Sequence, residues 1–420
     1  MIPKSTRHTT AQSLANQGFR LCRYCSKREG IKEARTPELN RNVCSLCGGV
    51  LSKLDEIVSS ITKSTSNYEF KTFLVGASLP QSILDKEDEV RSRLKIKGKE
   101  NIKSQITRTI SSKFADASGK SVDYSRPDLT ILVSMVDDTI SVTSRSIWLR
   151  ATYKKLVRGV PQRASMCRVC NGLGCAECNY TGKRGTSVQS IASTYFAEVF
   201  KAESCNFVWL GSEDEMSLVE GSGRPFYVEV VRPKRRSIRR VKNSRKQPLV
   251  FQSDARVEIA NIALLKSKPM DIPQFEISAR IHLRKKGTTQ EGSINAEEIR
   301  AKFNETFVNV RLSRKYRTVQ RKIRLIDVQL DEGNSTATIA IDCDGGIPLK
   351  KFVTGEDGTV EPNLASFTSL YELDASSPFD IVDVRVKERR TKQNAASIAL
   401  EHGSALEGVL ESDEAISPLI

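Results

Sequence analysis

Residues 205–231 read Cys205-Asn-Phe-Val-Trp-Leu, Gly211-Ser-Glu-Asp-Glu-Met-Ser-Leu-Val-Glu and Gly221-Ser-Gly-Arg-Pro-Phe-Tyr-Val-Glu-Val-Val. Bulky and β-branched side chains fill both ends of this stretch, which predicts a strand over Cys205–Leu210 and another over Tyr227–Val231. The polar, glycine-containing segment between them predicts a loop. Asp214 is therefore expected on a loop that emerges from a sheet.

A helix and two basic segments surround this stretch. Thr186–Gln189 fits a capping box, and apolar residues follow it at helical spacing as far as Phe200. Arg232–Lys246 has nine Lys or Arg in fifteen residues and no acid, and Arg311–Arg324 has seven in fourteen. Either segment alone fits a solvated face as well as a binding surface, but together they favour a surface that follows a phosphate backbone.

The composition supports a polyanionic partner. The 420 residues include 66 Lys or Arg against 50 Asp or Glu, a net charge of +16. Because the last 28 residues, from Gln393, hold five acids and no base, residues 1–392 carry +21. Such an excess is typical of nucleic-acid binding, although a merely soluble basic protein is the alternative.

No apolar segment approaches the roughly 20 residues that a membrane helix needs, and the start of the chain has no apolar signal segment. The expected location is therefore the cytoplasm, without a membrane partner. Thiols stay reduced there, so the 10 cysteines are not expected to form disulfides.

Eight of these cysteines form two clusters with metal-site spacing. The first follows C-x2-C-x18-C-x2-C and the second C-x2-C-x4-C-x2-C, and each can supply four tetrahedral thiolates to a structural zinc ion. Buried thiols without metal remain the alternative for both clusters, and an iron–sulfur cluster for the first. The ligands are Cys22, Cys25, Cys44, Cys47, Cys167, Cys170, Cys175 and Cys178.

Residues 68–162 show a mixed α/β pattern. Tyr68–Val75 predicts a strand, Asp85–Phe114 predicts helices, and Pro127–Met135 predicts a strand that turns at Asp137-Asp138 into the next one. This unit resembles the THUMP-type RNA-binding domain, although a generic α/β domain fits almost as well.

Familiar cofactor motifs are absent from the sequence. Ser118-Gly-Lys-Ser lacks the upstream glycine of a Walker loop, and Gly221-Ser-Gly does not continue as a dinucleotide fingerprint. The three histidines stand far apart, which argues against a Cys–His or Ser–His–Asp site. We therefore expect no organic cofactor.

The chain as far as about residue 390 resembles the archaeal and eukaryotic tRNA pseudouridine synthases that carry an N-terminal THUMP-containing domain and modify T-loop uridines. The matching segments are Tyr153–Gln162, the second cysteine cluster with Asn179-Tyr-Thr-Gly, Phe200–Ser204, Gly211-x-Glu-Asp, Gly221-Ser-Gly-Arg-Pro-Phe, Gly346–Gly355 and Glu361-Pro-Asn.

The resemblance implies cofactor-free isomerisation of uridine to pseudouridine in tRNA, at position 54, position 55 or both. It makes Asp214 the catalytic carboxylate and Lys350 its basic partner. Because a stacked uridine cannot reach a carboxylate, the base must be flipped into a pocket.

Other residues are assigned to substrate binding through the same resemblance. The tyrosine that should stack on the target base falls at Ile277, and a second substrate-contacting tyrosine falls at Pro348. Phe275 stands two residues before Ile277 on the same strand face and is a candidate replacement ring. Arg224 is a further predicted substrate-binding residue, and Arg314 and Arg317 are predicted to bind the substrate because they lie in the second basic segment.

The sequence thus predicts an α+β protein of four regions. These are a four-cysteine zinc region (1–60), a THUMP-like domain (61–162), a catalytic domain with a mixed, mainly antiparallel sheet and the second cysteine cluster (163–392), and an acidic tail (393–420). Since Ser212 also departs from the family pattern, a degenerate tRNA-binding protein of the same fold is the alternative. A zinc-bearing scaffold that binds proteins through its tail is a weaker one.

Overall fold

The computed structural model describes residues 19–31, 44–238, 249–252, 255–271, 273–287, 292–312, 317–331 and 333–387. Most of the first basic segment, Arg314 and the acidic tail lie outside these residues. The chain divides into two compact units. The first holds the residues up to Trp209 with Pro225–Lys268, and the second holds Leu210–Arg224 with the residues from Pro269 onward.

Among its described residues, the N-terminal part of the first unit combines four α-helices with a four-stranded sheet. The helices are α1 (Arg23–Glu29), α2 (Leu54–Thr65), α3 (Gln81–Leu94) and α4 (Ile102–Ser118). The strands are β1 (Thr72–Ser78), β2 (Ser121–Val122), β3 (Leu129–Ser134) and β4 (Thr139–Ser144), in the order β2-β1-β3-β4. β1 runs parallel to β2 and β3, and β3 pairs with β4 antiparallel.

Helix α4 begins and ends at capping residues, and one of its faces is buried. The Asn101 side chain accepts a hydrogen bond from the Ser104 N–H and starts the helix, and Gly119, with φ of 66°, ends it. Ile106, Ile110 and neighbouring apolar residues of its inner face are buried in a core shared with β1 and β3. The predicted strand at Tyr68 starts four residues later, at Thr72, because alternating burial begins only there.

The rest of the first unit, where the structure describes it, is a second sheet with one α-helix. Its strands are β5 (Ile147–Lys155), β8 (Ser204–Trp209), β9 (Val219–Val231), β10 (Leu249–Gln252) and β11 (Ala255–Leu265), with the order β10-β11-β5-β9 and β8 on β9. A two-stranded ribbon, β6 (Ser165–Met166) with β7 (Lys183–Arg184), carries the second cysteine cluster. Strand β8 pairs antiparallel with residues 226–231 of β9.

Helix α5 (Val188–Phe200) belongs to the same part of the first unit. Its capping box is formed by Ser187 and Ser190, one residue later than predicted from Thr186 and Gln189. Both Thr186 and Ser187 can cap a helix, and the extended backbone at Ser187 selects the second.

The described part of the second unit is a mainly antiparallel sheet with two short α-helices. Its elements are β12 (Phe275–Lys285), α6 (Ala296–Phe303), β13 (Thr306–Leu312), β14 (Arg317–Leu330), β15 (Thr336–Asp344), α7 (Leu349–Thr354), β16 (Val360–Glu361), β17 (Tyr371–Leu373) and β18 (Phe379–Val386). The strand order is β18-β12-β15-β14-β13-β16, with β17 on β12. The first residue of β9, Val219, pairs parallel with Ile381 of β18, so this sheet is mixed as predicted.

Among the described residues, none of the helices is long and apolar enough to cross a membrane.

Candidate active site

Asp214 lies on a loop of residues 210–218, between β8 and β9. The second residue of the loop is Gly211, whose φ of 78° is a left-handed conformation. A Cβ atom at Gly211 would come within 2.5 Å of the Arg224 Nη1 atom, so glycine is needed there for space as well. The sequence thus places the carboxylate on a tight turn rather than inside a regular strand.

A buried ion pair holds this loop. The Arg224 Nε atom lies 3.1 Å from the Glu213 Oε2 atom, and both side chains are 0% exposed. Arg224 also donates through Nη1 to the Leu210 carbonyl oxygen at 2.8 Å. The guanidinium therefore ties the first residue of the loop to the residue before Asp214. Because Arg224 is fully buried, the predicted contact with RNA would require this loop to open.

Asp214 and Lys350 are brought together although 136 residues separate them in the chain. The Lys350 Nζ donates to Asp214 Oδ2 at 2.5 Å, and the Met216 N–H donates to Asp214 Oδ1 at 2.9 Å. Lys350 stands in the first turn of α7. The Asp214 side chain is 23% exposed and that of Lys350 46%. Both oxygens of the carboxylate are thus oriented, and the pair stays open to a substrate.

Phe275 lies beside this loop, and Ile277 is buried in the sheet. A Cβ atom at Gly345 would come within 2.2 Å of the Phe275 ring, and one at Gly211 within 3.3 Å. The ring therefore lies next to the loop that carries Asp214. Ile277 is 7% exposed and pairs with Cys343 inside the sheet. Pro348 caps α7 and is half-buried, two residues before Lys350.

The second basic segment lies on the hairpin of β13 and β14. Arg317 is exposed at the start of β14 and pairs with Leu312, whereas Arg314 lies outside the described residues. Arg321, further along β14, lies near the turn before α7, because a Cβ atom at Gly346 would be 3.4 Å from its Nε atom. No local signal in the sequence singles out Arg321 within this segment.

Both cysteine clusters have the geometry of a tetrahedral metal site. Within each cluster the four sulfur atoms lie within 4.8 Å of one another. The Cys22–Cys47, Cys167–Cys175 and Cys170–Cys178 sulfurs are 3.8–3.9 Å apart. Zn–S bonds of about 2.3 Å in a tetrahedron require S···S distances of about 3.8 Å. The residues present therefore fit a zinc ion, which would cross-link each cluster.

Hydrogen bonds to the sulfur atoms lower the pKa of some of the cysteines in each cluster. The N–H groups of Cys175 and Gly182 donate to the Cys178 sulfur at 3.2 and 3.3 Å. These hydrogen bonds lower the pKa of Cys178 to about 6. In the first cluster, hydrogen bonding with Cys25 lowers the pKa of Cys22 to about 7. Thiolates are the form that binds metal. In the first cluster, hydrogen bonds with the other cysteines, above all Cys22, raise the pKa values of Cys25 and Cys47, so a lowered pKa belongs to only some of its four cysteines.

A basic cleft of about 470 Å³ lies within the first unit, at the end of β4. Its walls include Tyr68, Ser144, Lys201, Glu203, Arg232 and Lys234. The Lys234 ammonium lies 5.8 Å from the centre of the Tyr68 ring, and the Ser144 hydroxyl donates to the Pro233 carbonyl oxygen at 2.7 Å. Three cations beside an aromatic ring are suited to a nucleotide and its phosphate.

The sequence of this chain matches two known family profiles, one of which covers the Asp214 site. A family profile described as "Pus10, C-terminal" matches residues 148–386, which is more than half of the chain and includes Asp214, Phe275 and Lys350. This chain belongs to the Pus10 family. A second profile, "Pus10 THUMP domain, archaeal", matches residues 57–134. The predicted THUMP resemblance is therefore confirmed.

Curated members of the Pus10 family match most of the chain. A protein of Cenarchaeum symbiosum (strain A) is 30% identical over 368 residues, which cover 87% of this chain and 86% of that protein. One of Nitrosopumilus maritimus (strain SCM1) is 29% identical over 349 residues, covering 82% of this chain and 86% of the relative. Both are named tRNA pseudouridine synthase Pus10.

Membership of the Pus10 family confirms the predicted enzyme class, an isomerase of the pseudouridine synthase type. The roles assigned above to individual residues, the zinc ions and the domain boundaries stay predictions.

Proposed function

We propose that this protein isomerises uridine to pseudouridine in the T-loop of tRNA, at position 54, position 55 or both, with Asp214 as the catalytic carboxylate. The observation that carries the proposal is the Asp214–Lys350 pair on an accessible loop of a Pus10-family chain. Family membership supplies the reaction class, and the pair supplies an ionised carboxylate at an open position.

The reaction divides into steps that these residues can serve. The Asp214 carboxylate attacks the ribose or the uracil ring of the flipped-out nucleotide, and the glycosidic C–N bond breaks. The released uracil rotates, and its C5 atom bonds to the ribose while the carboxylate leaves unchanged. The C5 proton is then lost to a base and N1 takes up a proton from water, so the product is an isomer of the substrate. Lys350 holds the carboxylate in its ionised form by direct charge pairing.

Phe275 is the proposed wall of the base pocket. Its ring lies next to the Asp214 loop and above Gly345. Ile277, which stands where the resemblance expects the stacking tyrosine, is buried in the sheet. A ring at Phe275 would offset part of the few kcal/mol that unstacking a base costs. Pro348 borders the same turn, and Arg317 and Arg314 are proposed to contact phosphates.

The two four-cysteine clusters are proposed to hold structural zinc. All four ligands of each site come from the protein, so no position remains open for a reacting group. The zinc ions would stabilise the fold, and the isomerisation would proceed on the chain's own side chains.

The test is carbodiimide mapping of pseudouridine in unmodified tRNA incubated with the pure protein. Asp214→Asn should lower the rate at least about 10³-fold, which is about 4 kcal/mol of barrier, while tRNA affinity stays within a few-fold. Asp357→Asn is the matched control, because Asp357 pairs with the neighbouring Lys351 at 3.0 Å and is 69% exposed. Activity that survives in Asp214→Asn would refute the assigned role.

The second candidate function is tRNA binding without catalysis. The burial of Ile277 in the sheet favours it, since the base would then lack the stacking side chain expected at that position. The same assay separates the two candidates: turnover by the wild-type protein excludes the second, and tight tRNA binding without any pseudouridine excludes the first.

A further inference from the structure

The second cysteine cluster forms a projecting knuckle, residues 165–184, on the ribbon of β6 and β7. Large apolar side chains on it are unusually exposed: Met166 and Val169 at 70%, Leu173 at 92% and Tyr180 at 78%. Burying side chains of this size normally contributes roughly 1.5–3 kcal/mol each. Their exposure therefore calls for a partner.

The two cysteine clusters differ in the burial of an apolar residue, Leu46 in the second C-x2-C pair of the first cluster and Val169 in the first pair of the second. Leu46 and Val169 both stand directly before the second cysteine of a C-x2-C pair. Leu46 is 0% exposed and belongs to the core of the first unit, whereas Val169 is 70% exposed. The first cluster thus uses its apolar residues to join a core. The second cluster presents them to solvent, and its four cysteines close it without them.

The charge of the knuckle indicates which partner fits. Arg168 and Lys183 are exposed on it, as is Arg163 just before it, and Glu177 is the one acid between Arg163 and Arg184 in the sequence. Tyr180 follows Asn179 shortly before β7, and the two residues have positive φ, of 59° and 49° respectively. Exposed aromatic and apolar side chains interspersed with cations are the combination that binds single-stranded nucleotides, through base stacking and phosphate contacts.

We propose that this knuckle is a second RNA-binding element, which binds single-stranded nucleotides of the tRNA substrate outside the catalytic pocket. Tyr180 and Leu173 pack on bases, and Arg168 and Lys183 contact phosphates. The inference rests on the proposed function for the identity of the RNA, but it concerns affinity rather than chemistry.

The experiment measures the dissociation constant of unmodified tRNA by filter binding at fixed salt, in the zinc-loaded full-length protein. Tyr180→Ser should weaken binding by about 5- to 150-fold, the equivalent of losing one stacked base. Tyr180→Phe keeps the ring and should bind like the wild type. Met270→Ser is the control for exposed apolar surface elsewhere, because Met270 is 95% exposed in the second unit.

Metal content per chain is measured for each variant. If Tyr180→Ser loses zinc, Leu173→Ser replaces it, because Leu173 is the most exposed of the four side chains at 92%. In addition, Arg168→Gln should reduce the slope of log affinity against log salt by about one contact.

The outcomes separate this inference from the proposed function. Unchanged tRNA affinity in zinc-loaded Tyr180→Ser and Leu173→Ser overturns the inference, even if the wild type makes pseudouridine. Weakened affinity that Tyr180→Phe restores supports it, even if no pseudouridine is formed. Equal weakening by Met270→Ser also overturns it, since the effect would then not belong to the knuckle.

Discussion

Replacing Glu213 by Gln tests whether the buried Glu213–Arg224 pair supports the loop that carries Asp214. The substitution keeps the size of the side chain and removes its charge, which leaves the Arg224 guanidinium buried without its counter-ion. Both side chains are 0% exposed. Breaking such a pair from one side costs roughly 3–5 kcal/mol, because the remaining charge has lost both water and its partner.

This loss of unfolding free energy appears as a lower melting temperature. For a unit of roughly 150–250 residues, each kcal/mol lowers the midpoint by about 2–4 °C, so Glu213→Gln should lower it by roughly 6–20 °C. Differential scanning calorimetry measures the shift. The pseudouridine assay should show a loss of turnover as well, because Glu213 directly precedes Asp214 in the loop.

The matched control is an exposed pair of the same residue types. Arg232 Nη1 lies 2.9 Å from Glu203 Oε2, and the side chains are 60% and 59% exposed. Solvent screens such a pair, so Glu203→Gln should shift the midpoint by no more than about 4 °C. The double variant Glu213→Gln/Arg224→Met removes the buried charge and should regain part of the lost stability. A shift for Glu213→Gln no larger than that of Glu203→Gln would refute the reasoning.

Two further predictions concern the first unit. Cys44→Ser, or removal of metal by a chelator, should abolish amide-exchange protection in α4, because Cys44 and Leu46 belong to the core that includes Ile106. Cys175→Ser, in the second cluster, should leave that protection intact. The opposite pattern would contradict the structural role proposed for the first cluster. Asp128→Asn should lower the melting temperature at pH 7: although burial raises the pKa of Asp128, the N–H of Lys71 and the charge of Arg236 lower it overall. A lowered pKa contributes its full stabilisation above the unfolded value of 3.8 and loses it as the pH falls through the folded pKa. The thermal melts of wild type and variant should therefore converge progressively below about pH 4, and a gap that stays constant down to about pH 3 would exclude this origin.

The sequence predicted those features that depend on neighbouring residues. The apolar residues Leu129, Ile131 and Val133 stand at every second position, and all three are buried in strand β3. This was predictable because successive side chains of any strand point to opposite faces. The loop that carries Asp214 was predicted for a similar reason, since glycine and polar residues interrupt two apolar segments. The start of β1 and the cap of α5 were misplaced by a few residues, because several local signals compete at element ends.

Contacts between distant residues could not be predicted from local pattern. Glu213 and Arg224 stand eleven positions apart, and their burial together depends on how the loop closes. The contact between Phe275 and Gly345 depends on the register of β12 against β15, which pairs Glu276 with Asp344. The proximity of Asp214 and Lys350 was expected from family resemblance, and no periodicity or spacing in the chain would have supplied it.

The path of the chain between the two units limits how the protein can be dissected. The chain passes from one unit to the other after Trp209, after Arg224 and after Lys268. A single protease nick at any of these points therefore cannot separate the two units with both of them complete. A fragment of the second unit expressed from Pro269 onward would lack residues 210–224, and with them Asp214. Truncation studies of catalysis should accordingly begin upstream of Leu210.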